Sequence, residues 1–284
     1  MIKKYLQLPV TLLLFLLISQ SVAAAPRVAV SVAPIHSLVS SLMQGVTQPT
    51  LLFADSRDAI DSMDPVQQSQ VLIADLVIWI GPGLEKSLAQ MTDRFPSIEQ
   101  KLSTLSNTVP LLRSRELGGI TSSRQEAFEM TFWNDPRIAM IAVRQITPKL
   151  VRIDPDNTER YLDNEIRLLR RIKEAEQQIS TMLSPVDSIP ASIAGDIDPY
   201  FAHRFVAAAN IRQTAPDPGL VKVSSQGPRS CQSSTKQTAS SAKPGTELYF
   251  QALQAEAQRI HDCATSIHRS TANTKHSVPS PMEG

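Results

Sequence analysis

The chain has 284 residues, 42% hydrophobic and 19% charged, which allows one or two globular domains with a sizeable core. Its 28 Lys and Arg residues nearly balance 27 Asp and Glu residues, for a formal net charge of +1. This balance argues against nucleic acid or an anionic membrane surface as the main partner.

The first 25 residues have the pattern of a secretory signal peptide. Lys3 and Lys4 supply a positive start, an apolar run covers residues 11–18, and three alanines at 23–25 supply a cleavage site. The apolar run is shorter than a membrane-spanning helix needs, which argues against a membrane anchor. An uncleaved anchor is the alternative interpretation. We therefore expect signal peptide 1–25 to be removed and the mature protein to be exported and soluble.

The chain has two cysteines, Cys231 and Cys263. An exported protein meets an oxidising compartment, where an isolated pair forms a disulfide more often than it remains as two free thiols. Two cysteines this far apart do not make a zinc site without further ligands.

Short apolar runs and amphipathic stretches alternate through residues 27–112. The predicted strands are 27–34, 49–53, 75–80 and 109–112, and the predicted helices are 36–44, 65–73 and 84–95. The run DLVIWI at 75–80 is almost wholly apolar, as expected of a central strand that is buried on both faces. Such alternation predicts a parallel α/β sheet with helices on both faces.

A polar connection at 113–130 and a predicted helix at 137–150 lead to the longest periodic stretch of the chain. Asp154 and Pro155 suit the N-cap and the first turn of a helix. Apolar residues then follow at three- and four-residue spacing: Leu162, Ile166, Leu169, Ile172, Ile179 and Leu183. This pattern predicts a helix about 40 Å long that joins two lobes. The alternative is one long surface helix of a single helical domain.

The signals weaken after residue 185. A short strand at 191–194 and a helix at 199–209 are predicted, and residues 223–245 are polar enough to form a disordered linker. An amphipathic helix is predicted at 247–267, followed by a disordered tail at 268–284. The predicted domains are an N-terminal α/β lobe (26–150), an interdomain helix (151–184) and a C-terminal lobe (185–267).

Several local patterns together resemble one known family. They are APIHSLV at 33–39, ADLVIWIGPGLE at 74–85, FWNDP at 132–136, and the Asp-Pro pair before the long helix. The chain resembles the periplasmic zinc-binding proteins of ZnuA type, which feed a metal ABC transporter. The resemblance implies an α/β, two-lobed periplasmic metal-binding-protein fold, with a long rigid interdomain helix and metal held between the lobes.

The resemblance also locates the family's three zinc-binding histidines, and none is a histidine here. Their positions are occupied by Ala59, Thr131 and Gly195. A methyl group, a neutral hydroxyl and a hydrogen cannot replace three imidazoles around Zn²⁺. The resemblance therefore implies that the inherited metal site is lost and that zinc binds weakly or not at all.

Other implications of the resemblance concern the C-terminal part and the partners. Cys231 and Cys263 resemble the family's single disulfide in the C-terminal lobe. Segments that build the second lobe's sheet have no counterpart among residues 223–245, so a shortened C-terminal lobe is expected. The implied partner is an inner-membrane ABC permease, and the implied state is a periplasmic monomer.

The remaining residues do not predict another site. His36 is interpreted as a surface or capping residue and His203 as a solvated one, while His261 and His268 share one helical face without defining a site. Asp55, Asp58, Asp61 and Asp64 are interpreted as a solvated loop, because the glycine pattern of a calcium loop is absent. The chain contains neither a phosphate-binding Gly-Lys-Ser/Thr loop nor a Gly-x-Ser-x-Gly elbow, so it is not expected to be an enzyme.

The sequence thus predicts a solute-binding protein of a zinc ABC uptake transporter that has lost its metal ligands. One alternative is a non-metal-binding regulatory or partner-docking module in the periplasm. Others are a decaying inactive paralogue and, from a different class, an enzyme with an unrecognised site.

Overall fold

The computed structural model describes residues 24–54, 62–113, 128–184, 197–206 and 244–275, with side chains described up to residue 265. The predicted strand at 191–194 lies outside these ranges. Almost all of the predicted signal peptide and of the predicted linker at 223–245 also lies outside them.

The described chain begins with alternating strands and helices and ends in helices. In chain order the elements are β1 (Val28–Val32), α1 (Ala33–Leu42), β2 (Thr50–Phe53), α2 (Pro65–Ile73), β3 (Leu76–Trp79), α3 (Lys86–Arg94), β4 (Leu102–Thr104), α4 (Pro136–Ile153), α5 (Thr158–Leu183) and α6 (Leu248–Lys275). Single helical turns at Phe132–Asn134 and Pro155–Asn157 precede α4 and α5. Residues 197–206 contain a turn, Pro199–Phe201, and a π-helical turn, Ala202–Val206.

The four strands form one parallel sheet in the order β2-β1-β3-β4. Side chains alternate between its faces, as the pleat of a strand requires. Val30 and Ile78, which pair across β1 and β3, belong to the larger apolar core. Ala29 and Val77, the preceding pair, belong to a smaller core on the opposite face. The apolar run at 75–80 therefore lies at the centre of a sheet that is buried on both faces.

Helices cover both faces of the sheet. Val71 of α2 and Leu88 of α3 lie in the smaller core. The buried residues of α1, α4, α5 and α6 lie in the larger core. The start of α2 is fixed by a capping box, in which Asp64 accepts from the Gln67 backbone N–H and Gln67 accepts from the Asp64 N–H, both at 2.8 Å.

The fourth strand differs from the prediction. It is Leu102–Thr104, whose Ser103 pairs with Ile78, and not the predicted run at 109–112. The run at 109–112 is not a strand, and its Pro110 lacks the N–H that a ladder needs. Val109 of this run still packs into the larger core. The prediction followed apolar composition, which β4 lacks.

The long helix begins later than predicted. Asp154 is the C-cap of α4 and not the N-cap of α5, which begins at Thr158 after the turn Pro155–Asn157. The Asp154 carboxylate accepts hydrogen bonds from the Asn157 amide at 2.9 Å and the Tyr161 hydroxyl at 2.7 Å. These bonds fix the corner between α4 and α5. From there α5 packs along α4, α1 and α6.

The described residues after α5 are helical and pack against the same core as the sheet. Tyr200, Phe205 and Leu253 are all buried in the larger core. The last helix continues to Lys275, beyond the predicted end at residue 267. The predicted α/β class, with a parallel sheet and a long helix, is confirmed. Among the described residues, no helix is both long and apolar enough to cross a membrane.

Candidate functional site

Thr131 is the one predicted ligand position that lies within the described residues. It precedes a helical turn whose Phe132 and Trp133 are buried in the core, so its own place is fixed. The half-buried Thr131 hydroxyl donates a hydrogen bond of 2.6 Å to Oδ2 of Asp198. This bond joins the loop before α4 to the 197–206 segment.

Asp198 accepts hydrogen bonds at both carboxylate oxygens. Its Oδ1 accepts from the backbone N–H of Tyr200 at 2.9 Å and of Phe201 at 3.3 Å, so Asp198 is the N-cap of the turn that follows. Burial raises the pKa of the Asp198 carboxyl above its usual value, while the hydrogen bonds that it accepts act in the opposite direction.

A cluster of charged side chains adjoins this pair. Glu176 of α5 accepts from Arg137 Nε at 2.8 Å and from Arg204 Nη2. The Nε of Arg204 also lies 3.9 Å from Oδ1 of Asp135. The same Asp135 oxygen accepts a hydrogen bond from the Arg137 backbone N–H at the start of α4. Burial raises the pKa of the Asp135 carboxyl. Asp135 and Glu176 are both buried, and both have an arginine partner.

The GPGLE stretch closes the end of β3 and contacts the loop that carries Thr131. The buried Glu85 carboxylate accepts from the backbone N–H of Ile80 at 3.0 Å and of Gly81 at 2.8 Å, which closes the end of β3. The flexible end of the Met130 side chain lies against Gly83, so the loop that carries Thr131 contacts this turn. Burial raises the pKa of Glu85.

Ala59, Gly195 and Cys231 lie outside the described residues. Cys263 is buried on α6, but the Cys231–Cys263 disulfide stays a prediction because its other half is not described.

His36 is not the surface or capping residue that the sequence suggested. It is buried on α1, with Nε2 2.9 Å from the Pro49 carbonyl and Nδ1 3.4 Å from the Ser40 hydroxyl. Burial lowers its pKa, which favours the neutral ring. Its role is to tie α1 to the start of β2, and no local sequence signal indicates this long-range bond.

His203 lies on the 197–206 segment, where its charge acts on Asp135, and the other histidines are separate from this region or are not described. His203 is exposed, as predicted, and His261 is 3.2 Å from the Asp262 carboxylate beside it. His268 lies on α6 where side chains are not described, and His276 lies beyond the described residues.

The polar side chains of this region connect protein segments to one another. Thr131, Asp198, Asp135 and Glu176 all make hydrogen bonds or ion pairs with other protein groups. Within the described ranges, no group of three or more His, Cys, Asp or Glu residues is placed to hold a metal ion. The residues missed by the sequence analysis are Arg204 and Glu176, which lie in different elements and share no local motif.

The chain is similar in sequence to proteins named as high-affinity zinc uptake system protein ZnuA. It is 26% identical to the high-affinity zinc uptake system protein ZnuA of Yersinia pestis, with 64% of each chain covered. It is 24% identical to the ZnuA of Brucella abortus, with 69% of this chain and 70% of that protein covered. The chain thus spans less than two thirds of the length of the Yersinia protein.

The fold is similar to that of the periplasmic zinc binding protein TroA from Treponema pallidum, with a TM-score of 0.51 and 14% identity over 64% of each chain. This likeness supports the fold alone. The family model described as zinc-uptake complex component A, periplasmic, matches residues 28–254, which is most of the chain. The chain therefore belongs to the ZnuA family.

Proposed function

We propose that this protein is a solute-binding component of a zinc ABC uptake system in which the inherited zinc site no longer binds the metal tightly. The family match supports the transport role. The observation that supports the loss of tight zinc binding is the hydrogen bond from Thr131 to Asp198. Thr131 stands at the position where the resemblance implies a zinc-binding imidazole.

The chemistry of the donor set argues against tight zinc binding there. Protein zinc sites use thiolate, imidazole and carboxylate ligands, usually four in a tetrahedron. Thr131 offers a neutral hydroxyl, while Ala59 and Gly195 offer no donor atom in their side chains. Asp198 is the one carboxylate bonded to Thr131, and both of its oxygens already accept hydrogen bonds from protein groups.

The remaining parts of the proposal rest on the sequence pattern and on the family resemblance. The protein is a binding protein and not an enzyme, it is exported to the periplasm after removal of residues 1–25, and it acts as a monomer. Its partner is an inner-membrane ABC permease. Cys231 and Cys263 form a disulfide, for which the buried position of Cys263 provides a protected environment. A partner-docking module that binds no metal is the other function compatible with this donor set.

The test is calorimetric titration of the purified, chelator-stripped protein with zinc. We expect no tight stoichiometric binding by the unmodified protein and recovery of binding by the triple variant Ala59→His, Thr131→His, Gly195→His. A matched control carries three histidines at exposed positions elsewhere: Gln100→His, Arg152→His and Gln177→His. Tight one-to-one binding by the unmodified protein would overturn the loss of the site. Binding by the control equal to that of the triple variant would show that added histidines act nonspecifically.

A further inference from the structure

The 197–206 segment is bound to the rest of the protein by polar contacts at three separate points. Each contact joins it to a part of the chain that is remote in sequence. The first is the bond from Thr131 to Asp198, between residues 67 positions apart.

The second point is the buried hydroxyl of Tyr200. It donates to the Glu129 carbonyl at 2.8 Å and accepts from the Leu112 N–H at 2.9 Å. Leu112 and Glu129 are also bonded to each other, through the Glu129 N–H and the Leu112 carbonyl at 2.9 Å. Tyr200 therefore bonds to both ends of the 113–130 connection, at Leu112 and at Glu129.

The third point is Arg204, which contacts Glu176 of α5 and approaches Asp135 at the start of α4. Removing this arginine would leave two buried carboxylates with less compensating charge, and uncompensated buried charges are strongly destabilising. Glu176 would keep Arg137, whose side chain is 63% exposed and therefore screened by solvent.

Apolar contacts also hold the 197–206 segment, but they do not fix the exact position in which it docks. Phe201 and Phe205 are buried, with ring centroids 4.7 Å apart. Apolar packing is not directional. The three polar contacts, by contrast, each require one particular partner atom, so they define where the segment docks.

We propose that Thr131–Asp198, Tyr200 and Arg204 form a latch that keeps the 197–206 segment docked on the N-terminal part without any bridging ion. Each contact joins two protein groups, so docking of the 197–206 segment needs no cation. The latch extends beyond the proposed transport function, because it concerns how the segment is held whether or not zinc binds elsewhere.

Hydrogen–deuterium exchange of the full protein tests the latch, read at peptides that cover residues 197–206. The informative amides belong to Tyr200, Phe201 and Ala202, which bond to the side chain or carbonyl of Asp198. We expect slow exchange in protein treated with chelator and no change when zinc chloride is added. Rapid exchange in the chelated protein, or at least tenfold slower exchange on adding zinc, would overturn the proposal.

Two variants break the latch at different points. Arg204→Met removes the ion pairs, and Thr131→Val removes the hydroxyl donor at nearly constant volume. Each should speed exchange in 197–206 at least tenfold while leaving exchange in β1 and β3 unchanged. The control is Arg152→Gln at an exposed position of α4, which should leave the segment's exchange unchanged.

If both latch variants exchange like the unmodified protein, apolar packing alone holds the segment and the latch is wrong. Thr131→Val keeps the test valid even if Arg204→Met does not fold. The outcome is also separable from the zinc titration. Tight zinc binding with no change in exchange would overturn the proposed loss of the site and leave the latch intact.

Discussion

Two fully buried tyrosines differ in what their hydroxyl groups contact. The Tyr161 hydroxyl donates to the Asp154 carboxylate at 2.7 Å. The Tyr249 hydroxyl has no hydrogen-bond partner within the described part of the chain, and burial raises its pKa well above the usual value. A buried polar group without a partner keeps its full desolvation cost, whereas a satisfied one contributes a modest net stabilisation.

The same substitution should therefore have opposite effects at these two positions. Tyr249→Phe removes an unsatisfied hydroxyl and should raise the free energy of unfolding by about 1–2 kcal/mol. Tyr161→Phe removes a satisfied bond and should lower it by about 1–2 kcal/mol. Urea denaturation measures both. Destabilisation by Tyr249→Phe would mean that its hydroxyl has a partner outside the described residues.

At the residue scale, the sequence predicted features that depend on neighbouring residues, but it did not predict partners that are remote in sequence. Pro65 was correctly placed at the start of a helix, because it is recognisable from its neighbours alone. The identity of Thr131 marks a missing imidazole, but its bond to Asp198 depends on how two remote segments pack. The burial of His36 likewise depends on the Pro49 carbonyl, which the chain brings beside it only after folding.

The buried face of α5 is rotated from the face that apolar spacing predicts. Leu162 and Ile166 are 46% and 58% exposed, although both belong to the predicted apolar face. Asn164 takes a buried position because its amide donates to the carbonyls of Leu42 at 2.7 Å and Gln44 at 2.9 Å. Tertiary hydrogen bonds thus override the apolar pattern near the start of the helix. Further along α5, the prediction is correct for Ile172, Ile179 and Leu183.

Two isoleucines of α5 provide a matched comparison of this face. Ile172 is fully buried, so Ile172→Ala should lower the free energy of unfolding by about 2–5 kcal/mol through lost burial and a residual cavity. Ile166→Ala at the exposed position should change it by no more than about 0.5 kcal/mol. Chemical denaturation of both variants checks the difference. Similar losses at the two positions would mean that Ile166 is covered in the folded protein.

At the scale of the whole molecule, elements from both ends of the described chain share the larger core despite their separation in sequence. The larger core includes Val30 of the sheet, Trp133 before α4, and Leu253 of α6. A hydrogen bond of 3.1 Å from the Tyr249 N–H to the Ser37 hydroxyl also joins α6 to α1, across 212 positions. The sequence predicted α6 as an amphipathic helix but did not predict this contact with α1, because helical periodicity shows which face is apolar but not which surface that face meets.

This shared core predicts that a change in the last helix destabilises the first half of the chain. Leu253→Ala should lower the free energy of unfolding by about 2–5 kcal/mol. The two tryptophans, Trp79 and Trp133, both precede α5, so their fluorescence reports on the N-terminal part. We expect Leu253→Ala to shift the urea transitions read by tryptophan fluorescence and by far-UV circular dichroism by the same amount, as one cooperative unit requires.

Gln254→Ala, at the exposed neighbouring position, is the control. A shift in circular dichroism without a shift in fluorescence would show that α6 unfolds independently of the sheet.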